Sequence, residues 1–200
     1  GEGNDGTLHD GNTTNDDGNT PPQWVDGKFG KALSFDGVDD YVEVPNSESL
    51  KTTDEITIAA WVKQIEYTPP LSYPDIVYYP GGTRIESREN HSISFGVVNE
   101  NDEWRYTSYP YENLPNGGFN VWLHVVGTYS RSEELIKLYI NGELKDQKSQ
   151  TGAIKWGPTE NLRVGEGGMK NIIDEVRIYN RALSEEEISD LYNNLSLIHI

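Results

Sequence analysis

Trp122-Leu123-His124-Val125-Val126-Gly127-Thr128-Tyr129, followed by Leu138-Tyr139-Ile140-Asn141-Gly142-Glu143-Leu144, is the stretch that decides the fold. Both runs are rich in β-branched and aromatic residues, which pack well on a pleated surface. Asn141-Gly142 supplies two consecutive residues that tolerate positive φ, as a tight hairpin requires. Trp122–Tyr129 and Ile136–Ile140 therefore read as strands, and the short turn folds the chain back antiparallel after Ile140.

Further strands lie on both sides of this core. In Ile56-Thr57-Ile58-Ala59-Ala60-Trp61-Val62 both alternating sets are mostly apolar, the mark of a central strand covered on two sides. Leu33 and Phe35, then Tyr41, Val42 and Val44, flank the turn Asp36-Gly37-Val38-Asp39-Asp40. Ser92–Val98 and Glu103–Ser108 are strands around the polar turn Asn99–Asp102, and Leu162–Val164 and Ile172–Tyr179 close the set. Residues 63–83 hold Pro69, Pro70, Pro74 and Pro80 and read as a long loop, because proline cannot donate to a ladder. Residues 109–120 read as a second Pro/Gly loop. One helix is predicted, with Ser184 as N-cap, Glu185, Glu186 and Glu187 in its first turn, and Ile188, Leu191 and Tyr192 at helical spacing. About ten strands and one short C-terminal helix imply an all-β antiparallel sandwich, with residues 1–194 as a single domain.

The 200 residues contain no cysteine, and 33 acidic residues against 16 basic give a net charge of −17. Phosphate binding needs a clustered positive face, so this balance argues against nucleic acid as a partner. An anionic membrane surface is disfavoured for the same reason, and no apolar run of about 18 residues exists to be inserted in a bilayer. Neutral glycans, cations and basic partners remain open. The opening Gly1-Glu2-Gly3-Asn4-Asp5-Gly6 looks like the interior of a longer exported protein, extracellular or at the cell surface.

Phe35-Asp36-Gly37-Val38-Asp39-Asp40-Tyr41-Val42-Glu43-Val44-Pro45, the Trp122–Tyr129 and Leu138–Leu144 runs, and Ile173-Asp174-Glu175-Val176-Arg177-Ile178-Tyr179-Asn180-Arg181-Ala182-Leu183-Ser184 occur in this order. Together they resemble the LamG-like jelly-roll domains of the concanavalin A-like lectin/glucanase superfamily. The resemblance implies a jelly-roll sandwich and extends from about residue 4 to 193. Two departures accompany it. The family's first strand is missing, which predicts an exposed sheet edge or a rearranged N-terminus. Leu195–Ile200 is apolar, breaks the helix pattern and is read as a non-native tail.

Enzymes of the same superfamily place a Glu-x-Asp-x-x-Glu run on one strand, which brings nucleophile and acid to one face. The nearest string, Glu100-Asn101-Asp102-Glu103-Trp104-Arg105, has Arg105 where the acid should stand. That predicts a chain without catalysis. The four histidines lack zinc-binding spacing, and His124 reads as an interior residue. Calcium is the better metal expectation, since it takes hard oxygens from carboxylates and glycine-rich turns. Related folds hold a calcium ion with the residue equivalent to Asp174, a carboxylate set in an apolar strand. Asp36, Asp40 and Asp5 (or Asp10) could complete such a structural site. The alternative is that Asp174 pairs with Arg177 or caps a turn.

Twelve tyrosines and five tryptophans are the remaining signal. Trp61, Trp122 and Tyr139 read as core. Trp104 and Tyr106, on one face of a strand with Arg105 opposite, are candidates for stacking on sugar rings, together with Tyr78, Tyr79, Tyr109 and Tyr111 from the loops. The expected function is a carbohydrate-binding or adhesion module with a polysaccharide or glycan as partner. The alternative is a structural or protein-recognition domain of a cell-surface protein.

Overall fold

The computed structural model describes residues 4–11, 20–67, 74–88, 91–167 and 169–194. Two antiparallel sheets of seven strands pack face to face. The first runs in the order β1 (Thr7–Asp10), β4 (Asp40–Val44), β13 (Leu162–Val164), β6 (Asp75–Tyr79), β7 (Thr83–Arg88), β8 (Ser92–Val98) and β9 (Trp104–Pro110). The second runs β12 (Glu143–Ser149), β11 (Leu135–Ile140), β10 (Trp122–Ser130), β5 (Glu55–Tyr67), β14 (Met169–Tyr179), β3 (Lys31–Phe35) and β2 (Gln23–Asp26). One helix, α1 (Glu185–Asn194), lies over the outer face of the second sheet.

The period of two sorts the side chains. Ile56, Ile58, Ala60 and Val62 of β5 enter the inter-sheet core, where they join Leu123 and Val125 of β10 and Ile93, Phe95 and Val97 of β8. Gly127 leaves the space that the Phe95 ring fills, since a Cβ there would stand 2.1 Å from the phenylalanine Cδ2. The opposite set of β5 builds a smaller core under α1, in which Ala59, Val126, Tyr139, Leu183 and Ile188 are buried. Trp61 is also buried, stacked on Tyr192 of the helix. The Asn141-Gly142 turn has φ of 54° and 79°, the left-handed pair that the sequence predicts.

Among the described residues, fourteen strands replace the expected ten or so. Residues 63–83 are not one loop: they contain the end of β5, all of β6 and the first residue of β7. Pro74 and Pro80 sit just outside β6, where their missing N–H groups interrupt no ladder. Trp122 is only half-buried and does not belong to the core. At the sheet edges, β1 borders the first sheet and β2 the second. The expected tail, residues 195–200, lies outside the described residues. No helix among the described residues is long and apolar enough to cross a membrane.

Candidate functional site

The outer face of the first sheet carries a dense polar and aromatic grouping. In β7, Thr83, Ile85 and Ser87 turn inward, so Arg84, Glu86 and Arg88 turn outward. Register then aligns one row across six strands: Tyr106 opposite Gly96, Gly96 opposite Arg84, Arg84 opposite Tyr78, Tyr78 opposite Arg163 and Arg163 opposite Glu43. Successive strand spacings make this row about 24 Å long.

Along it one unit recurs, a tyrosine ring covered by a guanidinium that is held by carboxylates. Arg163 lies 5.0 Å from the Tyr41 ring centroid and pairs with Glu43 and Glu166. Arg84 lies 4.6 Å from the Tyr78 centroid and grips Asp75 with two nitrogens of its fork, at 2.8 and 2.6 Å. Arg88 lies 4.2 Å from the Tyr106 centroid and 3.4 Å from Glu86, which Arg84 also approaches at 3.3 Å. A planar guanidinium suits this double duty, because its faces stack on rings while its edge forks onto carboxylates.

Burial sets the electrostatics. Glu86 is fully buried beside its two arginines, and desolvation raises its pKa against their opposing pull. Burial likewise pushes the Asp75 carboxyl up to about 7, with the Arg84 hydrogen bonds working the other way. Among the described residues, neither Glu86 oxygen has a hydrogen-bond partner beyond these ion pairs, nor has the Ser94 hydroxyl on the strand position opposite. At the β4–β13–β6 end the face opens into a cavity of about 510 Å³ lined by Asp39, Tyr41, Asp75, Arg84, Arg163 and Glu166, with Gly11 and Gly167 beside them. At the other end Trp104 is half-buried and stacks on Tyr106, with centroids 5.4 Å apart and planes 10° apart.

Of the aromatic residues singled out from the sequence, Trp104, Tyr106 and Tyr78 lie on this face. The other three require correction. Tyr79 is buried between the sheets, with its hydroxyl donating to Asn46 Oδ1 at 2.8 Å. Tyr111 is buried with its hydroxyl against Ser87 Oγ. Tyr109 shares the inward face of β9, packs on the core and meets Lys145 of β12. Strand alternation decides these positions, and the loop reading hides it. Trp104 and Tyr106 also stack on each other, and Arg88 already lies on the Tyr106 ring, so they form one composite surface and not two successive sugar platforms. Sequence reasoning misses the arginines and acids of the row. Their signal is present nonetheless, as charge on every second residue at Arg84, Glu86 and Arg88.

The four carboxylates considered for calcium are not gathered at one point. Asp5 and Asp174 line an apolar cavity of about 630 Å³ between the sheets. Asp174 Oδ2 accepts the Phe29 N–H at 2.9 Å, which is the turn-capping alternative. Asp36 and Asp40 are instead tied together at the β3–β4 turn, where Asp40 Oδ2 accepts the Asp36 N–H at 2.9 Å. Among the described residues no three His, Cys, Asp or Glu side chains form a group able to hold a metal ion. The acidic string of the β8–β9 turn serves local structure: Glu100 accepts the Ala153 N–H, Asp102 pairs with Lys155, and Glu103 accepts from Asn99.

Comparison with known proteins gives the same architecture. The binding domain of Paraclostridial Mosquitocidal Protein 1 superposes with a TM-score of 0.74 at 21% identity, over 96% of this chain and 48% of that one. The ligand-binding domain of botulinum neurotoxin serotype D, in complex with N-acetylneuraminic acid, gives 0.74 at 19% identity, over 98% and 47%. The chain thus spans about half the length of these toxin domains. Domain 4 of AbnA, an extracellular GH43 arabinanase from Geobacillus stearothermophilus in complex with arabinotriose, gives 0.70 at 21% identity, over 94% and 87%. At these identities the likeness is one of fold. No curated protein sequence matches the chain. The Laminin_G_3 family, described as the concanavalin A-like lectin/glucanases superfamily, matches residues 36–189. With its two seven-stranded sheets and that match across most of its length, the chain belongs to the concanavalin A-like lectin/glucanase superfamily.

Proposed function

We propose that this chain is a non-catalytic carbohydrate-binding module, extracellular or at the cell surface, and that it binds glycan along the outer face of the first sheet. The observation that carries the reading is the row of tyrosine–arginine–carboxylate units running from the cavity at Asp75 and Arg163 to Trp104. Guanidinium N–H groups and carboxylate oxygens set side by side match the donors and acceptors of neighbouring sugar hydroxyls. The half-buried Trp104 offers an apolar face for the C–H side of a sugar ring. Two proteins of the same fold carry arabinotriose and N-acetylneuraminic acid in their structures, which supports a sugar as ligand.

The test is a glycan array followed by calorimetry with wild type, Trp104→Ala and Arg84→Ala. Micromolar or weaker binding, lost in both variants, is the expected result. Folded protein that binds no glycan would instead favour a structural or protein-recognition domain.

A further inference from the structure

The charges on this face also bear on which sugars it takes, an inference that rests on the glycan-binding reading above. We infer that the site selects neutral oligosaccharides and rejects those bearing carboxylates, because each of its guanidiniums is already matched by a carboxylate of the protein.

Arg84 is committed to Asp75 through two short hydrogen bonds and also approaches Glu86 at 3.3 Å. Arg163 is held between Glu43 and Glu166. Arg88 stands 3.4 Å from the other oxygen of Glu86. Asp39 adds a further acid to the cavity wall. Carboxylates therefore outnumber guanidiniums along the row, and they still do when Asp75 carries a proton. A ligand carboxylate that reaches the outer N–H groups of an arginine also stands close to these acids. The excess of like charge, in a partly buried setting, opposes it.

Nor does the surrounding surface help, since the chain's net charge of −17 repels anions at long range. A neutral sugar meets no such opposition. Its hydroxyls can accept from the outer N–H groups of a guanidinium and donate to the spare lone pairs of the carboxylate beside it, with every ion pair intact. Each of the three guanidiniums lies over a tyrosine ring, which restricts where its donors can point.

Calorimetry on the full chain with matched probes tests the inference: lactose against 3′-sialyllactose, and galactotriose against trigalacturonic acid. The acidic member of the pair that binds should be weaker by about tenfold or more at low salt, and the gap should narrow as salt rises. Glu166→Gln, which releases Arg163 from one partner, should strengthen binding of the acidic member and shrink the gap. Acidic probes that bind as tightly as neutral ones, with Trp104→Ala abolishing both, would overturn the selectivity while leaving the glycan site standing. Absence of binding to these probes and to an array of neutral and acidic glycans would overturn the glycan site itself.

Discussion

Tyr106 on β9 lies so close across Gly96 on β8 that a Cβ on the glycine would stand 2.3 Å from the tyrosine Cε1. The missing side chain is what lets the ring settle beside Arg84 and Arg88. Because Tyr106 is half-buried, Gly96→Ala should push it outward without breaking the sandwich. We expect a loss of about 1 kcal/mol in unfolding free energy together with a clear loss of glycan affinity. Urea denaturation and calorimetry measure the two. Unchanged affinity would show that Tyr106 is no part of the site.

His124 should make the fold acid-sensitive. Its ring is buried 5.1 Å from Trp61 and 6.2 Å from Tyr192, and burial, reinforced by Arg177, pushes its pKa down to about 4. The folded value lies below the unfolded one of about 6.5. The neutral ring therefore contributes stability that is complete above that pH and is lost as pH falls through 4. The full effect is about 3 kcal/mol. His124→Phe should flatten this part of the stability curve, and an identical slope in the variant would assign it to other groups.

Asp40 titrates in the opposite sense. Burial raises its pKa to about 6, and Asp36, Asp10 and Asp39 add to the rise, while the Asp36 N–H opposes it. A raised folded value means that its contribution is present below about pH 4 and is lost as pH climbs through 6. Asp40→Asn should accordingly raise the melting temperature at pH 8 and leave it unchanged at pH 4. A chelator that lowers the wild-type melting temperature but not the variant's would reverse this account, with a cation acting as the missing partner.

Ser184 and Glu187 close the start of α1 reciprocally. The Glu187 N–H donates to Ser184 Oγ at 3.2 Å, and the Ser184 N–H donates to Glu187 Oε2 at 2.9 Å. Ser184→Ala should cost about 1 kcal/mol, seen as helix loss by circular dichroism at temperatures where the sheets persist.

Much of this architecture is legible in the sequence because it rests on local rules. The two apolar sets of β5, the Asn141-Gly142 turn and the Ser184 capping box each occupy a short window, and each is present as read. The site is less legible because it is a cross-strand object. Tyr106, Arg84, Tyr78 and Arg163 are scattered in the chain, and only register makes them neighbours. Proline density masks β6, so Tyr78 and Tyr79 look equivalent in the sequence although adjacent strand residues point to opposite faces. Asp174 and Asp40, both named in the calcium expectation, lie on strands of different sheets, which spacing along the chain does not reveal.

The helix laid over Trp61 is held by far fewer buried side chains than the sandwich beneath it. The sandwich holds most of the buried apolar side chains, whereas α1 is fastened by Leu183, Ile188 and a few neighbours, with three glutamates at its start. Opening of the helix alone exposes far less apolar surface than global unfolding, so it lies lower on the ladder of native-state openings. The indole of Trp61, shielded in part by Tyr192, then becomes an optical reporter of that partial event. Fluorescence and the far-ultraviolet signal of the sheets need not melt together, and coincidence of the two transitions is the test of whether one midpoint describes this protein.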